Sequence, residues 1–272
     1  MMERSIEQMR RIGNRVEEST ASAFAGYVLA YLGEFDRAFS HANHAIQLAR
    51  EIQNPFTEAN AYHLRGSIYD QRGEWTQAIT DYEKARRIAE KAEDLFRLYL
   101  VKSWNGRAHA MIGEPARGRE LFEEGLALAE KIGTKFMLAW QKTAFAACLV
   151  ILGELEKGSQ LCQEAILLGE ETNDKYVIAF ANRTFAEILS CLEPSEPEKV
   201  DRAIIEAIRI QQEIDVKPEM ARSYLSYARL LTGRGEKEKA KEYLAKAIGM
   251  FQQMGMTWDL AQAGQLHRNV SI

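Results

Sequence analysis

The chain has 272 residues, of which 46% are hydrophobic and 27% are charged, ordinary values for a globular protein that buries a core. Its 35 Lys and Arg residues against 39 Asp and Glu residues give a formal net charge of −4, so nucleic acid is not an expected partner. Three cysteines are too few for a disulfide framework and suit a reducing compartment, which predicts a cytoplasmic location. The most apolar stretch, residues 136–152, is broken by polar residues at its centre, so no membrane partner is expected either.

A Gly-Glu turn recurs along the chain and sets its period. The glycines of this turn are Gly33, Gly73, Gly113, Gly153 and Gly235. The first four are 40 residues apart, and the last interval of 82 residues equals two periods plus an insertion of two. That insertion falls within residues 192–199, where Ser195 takes the place of the glycine. Self-similarity at this period predicts a repeat array.

Each period predicts two helices, one ending at the glycine turn and one beginning just after it, because apolar residues on both sides follow a helical spacing. The predicted repeats span residues 19–58, 59–98, 99–138, 139–178, 179–220 and 221–255. Residues 1–18 form a partial repeat with only a second helix, and residues 256–272 form a terminal helix. The sequence therefore predicts about fourteen helices, no strands and a single array over residues 1–272.

The residues around the turn resemble the tetratricopeptide repeat. Small residues precede the turn, an aromatic residue often follows Gly-Glu, and Tyr82 and Phe122 occupy the family's aromatic position in the second helix. The period is longer than the family's common 34 residues because each second helix is extended. This long form is similar to repeats in bacterial signalling ATPases and in cyclase-linked or transcriptional regulators. The resemblance implies an all-α, right-handed α-α superhelix.

The partial repeat at residues 1–18 leaves two interpretations open, because a helical array needs a polar cap at each end. In the first, the chain is a fragment of a longer protein or meets a partner at this end. In the second, its first helix is itself the cap.

Signals for catalysis, cofactors and metals are absent or weak. No phosphate-binding glycine loop, dinucleotide fingerprint or His-Glu-x-x-His motif occurs, so we expect neither an enzyme nor a bound cofactor. His41 and His44 lie one helical turn apart, but no third ligand of suitable spacing completes a metal site. Cys148 and Cys191 lie in apolar stretches and are predicted to be core residues.

The resemblance implies that a binding groove is lined by the first helix of each repeat. Carried onto this sequence, its positions at the N-terminal end are Tyr27, Asn60, His63, Ser67 and Asp70. The positions in later repeats are Leu100, Ser103, Arg107, Trp140, Phe180, Arg183 and Glu187.

Three of these residues, Leu100, Trp140 and Phe180, share one register position and are expected to be apolar anchors. We expect Arg107 and Arg183 to favour an acidic or carboxylate-bearing segment, and Asn60 to hold extended backbone. The alternative is that tight curvature of the array already buries these side chains against neighbouring repeats.

The expected function is a non-catalytic scaffold that binds a protein or peptide segment in its groove, as the regulatory part of a larger signalling protein. One alternative is a ligand-sensing region of an ATPase- or cyclase-type regulator, whose groove binds a small molecule or docks intramolecularly. Another is a self-association module that forms a homo-oligomer through its convex or terminal surfaces.

Overall fold

The computed structural model describes residues 2–192 and 196–270, without the side chains of residues 269 and 270. This part of the chain forms fourteen α-helices and no strand, which confirms the prediction of an all-α array. The helices are α1 (Met2–Arg11), α2 (Arg15–Tyr31), α3 (Phe35–Glu51), α4 (Pro55–Arg72), α5 (Trp75–Lys91), α6 (Leu95–Met111), α7 (Pro115–Ile132), α8 (Leu138–Ile151), α9 (Leu155–Thr172), α10 (Lys175–Cys191), α11 (Pro197–Glu213), α12 (Lys217–Gly233), α13 (Lys237–Met254) and α14 (Thr257–Val270). The expected turn at Ser195 lies outside the described residues.

The helices group into two compact units, Met1–Lys135 (unit 1, α1–α7) and Phe136–Ile272 (unit 2, α8–α14). We call the helices that precede the second helix of a repeat first helices: α2, α4 and α6 in unit 1, and α8, α10 and α12 in unit 2. We group α14, which follows the last repeat, with them. Inside each unit, a first helix packs on the second helix that follows it and on the next first helix, as α2 does on α3 and α4. This ladder of first helices positions the predicted site.

Backbone geometry at the helix ends explains the period. The five turn glycines all adopt φ between 77° and 90°, a left-handed conformation in which a side chain would be strained. Side-chain caps begin four of the first helices, each accepting a hydrogen bond from the backbone N–H three residues on. They are Asn14, Asn54, Asp94 and Asp174. A first helix with both features therefore begins at an Asn or Asp cap and ends at a glycine in the left-handed conformation.

The two helices of a repeat approach each other very closely at a column of small residues. A Cβ atom placed on Gly26 would lie 2.6 Å from the backbone oxygen of Ala38, and one on Gly66 would lie 2.5 Å from the ring of Tyr82. Real Cβ atoms do not come so close, so a side chain at Gly26 would displace the Ala38 backbone and one at Gly66 would displace the Tyr82 ring. The small residues that precede the turn are thus sites of helix–helix contact.

Candidate functional site

The predicted groove residues all lie on first helices. Unit 1 carries eight of them: Tyr27 on α2, Asn60, His63, Ser67 and Asp70 on α4, and Leu100, Ser103 and Arg107 on α6. Unit 2 carries the other four: Trp140 on α8, and Phe180, Arg183 and Glu187 on α10. Because the two units are distinct bodies, each set is described within its own unit.

The three expected apolar anchors are buried. Leu100 is 5% exposed, Trp140 1% and Phe180 2%. These side chains are already removed from water, as the alternative of burial against neighbouring repeats requires. Any part that they play in binding remains a prediction.

The two arginines expected to hold acidic groups already hold carboxylates of the protein. Arg107 Nη1 lies 2.7 Å from Asp70 Oδ1, and Arg183 Nη2 lies 2.7 Å from Glu219 Oε2. Each pair joins a first helix to the next one, and all four side chains are at most 8% exposed. A buried pair of this kind is hard to open, since either partner alone would be a desolvated charge. These arginines therefore act first as ties between repeats.

A third tie of this type lies further along unit 2. Arg222 of α12 donates two hydrogen bonds to the carboxylate of Asp259 on α14, at 2.9 and 3.1 Å. It also donates to Glu219 Oε1 at 2.8 Å, so one glutamate lies between two arginines. The acids Glu219 and Asp259 are 40 residues apart and occupy the same register position.

In unit 1 the contact at the register position of Arg183 and Glu219 joins His63 of α4 to Arg97 of α6. Arg97 Nη1 lies 2.9 Å from His63 Nδ1. Burial lowers the pKa of His63 well below its ordinary value, and the charge of Arg97 lowers it further. Burial also lowers the pKa of Arg97, against a smaller opposing effect of the negative charge on Asp94. The pair is therefore a neutral imidazole beside a guanidinium in a poorly solvated place.

Sequence reasoning missed Arg97. The predicted groove was taken from the family's positions, and Arg97, the third residue of α6, lies outside them. A comparison of the residues at this register position across the repeats would have found it. Arg97 falls where later repeats place the acids Glu219 and Asp259, so the sign of the charge is reversed at that position.

An aromatic cluster surrounds the His63 step. We define it as Tyr27, Tyr31, His63, Tyr82 and Trp104. The Tyr27 and Tyr31 hydroxyl oxygens are 2.5 Å apart, and both side chains are partly open to solvent. The Tyr82 hydroxyl is buried without a hydrogen-bond partner among the described residues, and burial is the main reason that its pKa is well above the ordinary value. The cluster combines aromatic surface with unsatisfied polar groups.

Helix α2 also leaves apolar side chains open next to this cluster. Phe24 is 50% exposed and Val28 is 40% exposed. With Tyr27 and Tyr31 they follow the i, i+3, i+4, i+7 spacing that places side chains on one face of a helix. The equivalent residues of α4, Leu64 and Ile68, are buried.

The other candidate sites, for a metal, a reactive thiol or a membrane, have less structural support. No group of three or more His, Cys, Asp or Glu side chains in the described part of the chain is placed to hold a metal ion. His44 instead lies 3.2 Å from Glu18. Cys148 is buried as predicted, but Cys191 is exposed at the end of α10, so its predicted core position is wrong. None of the described helices is long and apolar enough to span a bilayer.

Comparisons with known proteins match two parts of the chain to a repeat family. Two family models, both described as tetratricopeptide repeat, match residues 16–91 and 221–253. A search of curated proteins finds no match. Among solved structures, the apo form of RapI superposes with a TM-score of 0.68 at 12% identity, covering 92% of this chain and 88% of its own.

Two further structures are similar. A Rap protein complexed with competence and sporulation factor gives a TM-score of 0.67 at 16% identity, covering 94% of this chain and 75% of that chain. A signal transduction ATPase with numerous domains and a tetratricopeptide repeat sensor, from Pyrococcus horikoshii, gives 0.54 at 17% identity. The match covers 93% of this chain but only 39% of the ATPase. At these identities the likeness shows the fold.

Proposed function

Because this chain carries tetratricopeptide repeats, we propose that it is a non-catalytic interaction module that binds a peptide or protein segment on the first-helix face of its repeats. The observation that carries the proposal is the open aromatic stripe of α2. Phe24, Tyr27, Val28 and Tyr31 share one helix face, and the Tyr27 ring lies 6.5 Å from that of Trp104. Aromatic side chains with a hydroxyl group supply both contact area and hydrogen bonds, which protein partners use at interfaces.

The similar structures support an interaction function. One of them is a Rap protein complexed with competence and sporulation factor, so a protein of this fold binds a factor. Another is an ATPase in which such repeats form a sensor, and this chain matches 39% of its length. We therefore propose that the chain acts as a regulatory part of a signalling protein.

The predicted groove residues divide by accessibility. Tyr27 and Glu187 are partly open and reach a ligand without rearrangement, although Glu187 Oε1 already accepts a hydrogen bond from Ser226 at 2.5 Å. Asn60, Ser67 and Ser103 are buried, so their proposed role is to line the floor of the site beneath the open stripe. Ligand sensing inside a larger ATPase or cyclase and self-association are the competing functions.

The test lets the chain select its ligands from random sequences. A random peptide library displayed on phage is panned against the whole chain, and the dissociation constants of selected peptides are measured by calorimetry. We expect Tyr27→Ala/Tyr31→Ala to weaken binding at least tenfold. The control is Leu167→Ala on the second helix α9, which removes a 60% exposed apolar side chain and should change nothing.

Circular dichroism confirms that each variant keeps its helices. Equal affinity for wild type and the double variant, with loss of binding in Leu167→Ala, would place function on the second-helix face. Sedimentation of the peptide-free chain over a range of concentrations tests self-association, because a mass that rises with concentration favours that alternative.

A further inference from the structure

Two steps of the repeat ladder are equivalent in register but opposite in chemistry. Arg183 lies 120 residues after His63, which is three periods of 40. Glu219 lies 122 residues after Arg97, three periods plus the two-residue insertion. The contact between His63 and Arg97 in unit 1 is therefore the counterpart of the contact between Arg183 and Glu219 in unit 2.

The charges at the two contacts differ, and within the described chain the arginine of unit 1 lacks the carboxylate that the arginine of unit 2 has. In unit 2 the guanidinium of Arg183 meets a carboxylate at 2.7 Å. In unit 1 the guanidinium of Arg97 meets a neutral imidazole, and no carboxylate of the described residues lies within 4.0 Å of it. Asp94 caps α6 by accepting a hydrogen bond from the backbone N–H of Arg97 at 2.8 Å, not from its side chain.

An unpaired guanidinium is costly in this place. The side chain of Arg97 is only partly exposed, and its Nε is buried without a hydrogen-bond partner in the described chain. Taking a charge out of water without a counter-charge is strongly unfavourable, and natural proteins rarely leave one so. The other arginines that bridge first helices, Arg107, Arg183 and Arg222, all meet carboxylates.

The tautomer of His63 adds a second unsatisfied donor. Arg97 Nη1 can only donate, so His63 Nδ1 must accept and the neutral ring carries its proton on Nε2. That Nε2 is buried and has no partner among the described residues, although His63 as a whole is only 4% exposed. Arg97 also lies in the first turn of α6, where the helix dipole favours negative charge.

We propose that Arg97, positioned by His63, is an anion site of the first-helix face and takes a carboxylate group of the bound segment. The inference rests on the proposed function and names the chemistry of its ligand. A carboxylate fits best because the equivalent step of unit 2 is completed by one, the side chain of Glu219. The planar fork of a guanidinium can donate two parallel hydrogen bonds to a carboxylate.

The first test uses acetate as the probe and needs no peptide. Acetate is titrated into the whole ¹⁵N-labelled chain at constant ionic strength, and the Arg97 Nε–Hε signal is followed after assignment from its absence in Arg97→Lys. We expect a saturable shift with acetate and none with acetamide, while the exposed Arg229 shows no saturable change. No shift at Arg97, or a linear one equal to that of Arg229, would overturn the proposal.

The second test imports the pair of unit 2 into unit 1. His63→Arg/Arg97→Glu restores a guanidinium and a carboxylate at the equivalent positions, so we expect a higher melting temperature and no further rise on adding acetate. Arg97→Gln should also lose the acetate response, whereas Arg229→Gln should keep it. An unchanged acetate response in Arg97→Gln counts against the site, and the wild-type titration decides if the double variant does not fold.

Two carboxylate sources are then compared. N-acetylglycine presents a chain-terminal carboxylate and N-acetylaspartate amide presents an acidic side chain, and the one that saturates Arg97 at lower concentration identifies the group. Failure of this proposal is distinct from failure of the proposed function. If selected peptides bind Arg97→Gln as tightly as wild type, the anion-site proposal is wrong but the peptide-binding function stands. If acetate binds saturably but no peptide binder is found, the peptide-binding function is wrong but the anion site stands.

Discussion

Asp70 and Arg107 form an ion pair that is almost completely removed from water. Arg107 Nη1 lies 2.7 Å from Asp70 Oδ1, and the two side chains are 8% and 0% exposed for Arg107 and Asp70 respectively. The pair ties α4 to α6, and the Arg107 guanidinium also lies 5.6 Å from the centre of the Trp75 ring. Neighbouring repeats are thus joined by buried charge as well as by apolar packing.

Removing one member of this pair should be costly. Arg107→Ala leaves the Asp70 carboxylate buried without its counter-charge, so we expect the free energy of unfolding to fall by about 3–5 kcal/mol. Urea unfolding followed by circular dichroism measures it. The exposed Arg229→Ala is the control and should change stability by no more than about 0.5 kcal/mol. Similar small losses for both variants would show that the tie is not formed.

The Gly-Glu turns made the helices and their order predictable, because their recurrence with a period of 40 residues, broken once by an insertion, is visible in a single sequence. Six helix pairs, preceded by α1 and followed by α14, match that expectation. The division into units at residue 135 was not visible, since the period continues across it.

Burial at the candidate site was harder to predict. A period gives the register of Trp140 or Arg107 but not the distance between adjacent first helices, and that distance decides exposure. The partners of the arginines lie 36 or 37 residues away, which is near but not equal to one period. A search for complementary charges at such separations would have found the ties and shown that Arg97 lacks one.

Stability should decrease in mild acid because of His63. Its pKa is lowered in the folded chain, so the unfolded chain takes up a proton near pH 6.5 that the folded chain does not. The contribution of His63 to the free energy of unfolding is complete above that pH. It declines below that pH, with a slope approaching about 1.4 kcal/mol per pH unit. Urea unfolding of wild type and His63→Gln is compared between pH 7.5 and 5.

The difference between the two proteins isolates His63. His41, whose pKa is also lowered by burial, is present in both and cancels. We expect wild type to lose stability relative to His63→Gln as the pH falls through 6.5. A difference independent of pH would contradict a buried neutral imidazole at this position.

Two helical glycines should respond to alanine with opposite signs. At Gly26 a Cβ would lie 2.6 Å from the backbone oxygen of Ala38, which cannot move without shifting α3, so Gly26→Ala should destabilise by about 1–3 kcal/mol. At Gly249 in α13 no atom lies within 4 Å of the added Cβ. There alanine gains helix propensity, and Gly249→Ala should stabilise by about 0.5–1 kcal/mol. Thermal melts measure both, and equal shifts would refute the close approach of α2 and α3.

The three cysteines should react at very different rates. Cys191 is exposed, whereas Cys148 is 1% and Cys162 is 0% exposed, and burial raises the pKa of the Cys162 thiol. Because the thiolate is the reactive form, Ellman's reagent should titrate one thiol in the native chain and three in urea. Cys191→Ser should abolish the fast reaction, and two or more fast thiols in the wild type would contradict the packing of unit 2.

The slow reactions report on how unit 2 opens. Cys148 on α8 and Cys162 on α9 both belong to unit 2, so each becomes reactive only when that unit opens. If their labelling has the same dependence on urea as global unfolding, the repeats of unit 2 open together. Faster labelling of Cys148 than of Cys162 would instead show that α8, the first helix of unit 2 in chain order, separates first.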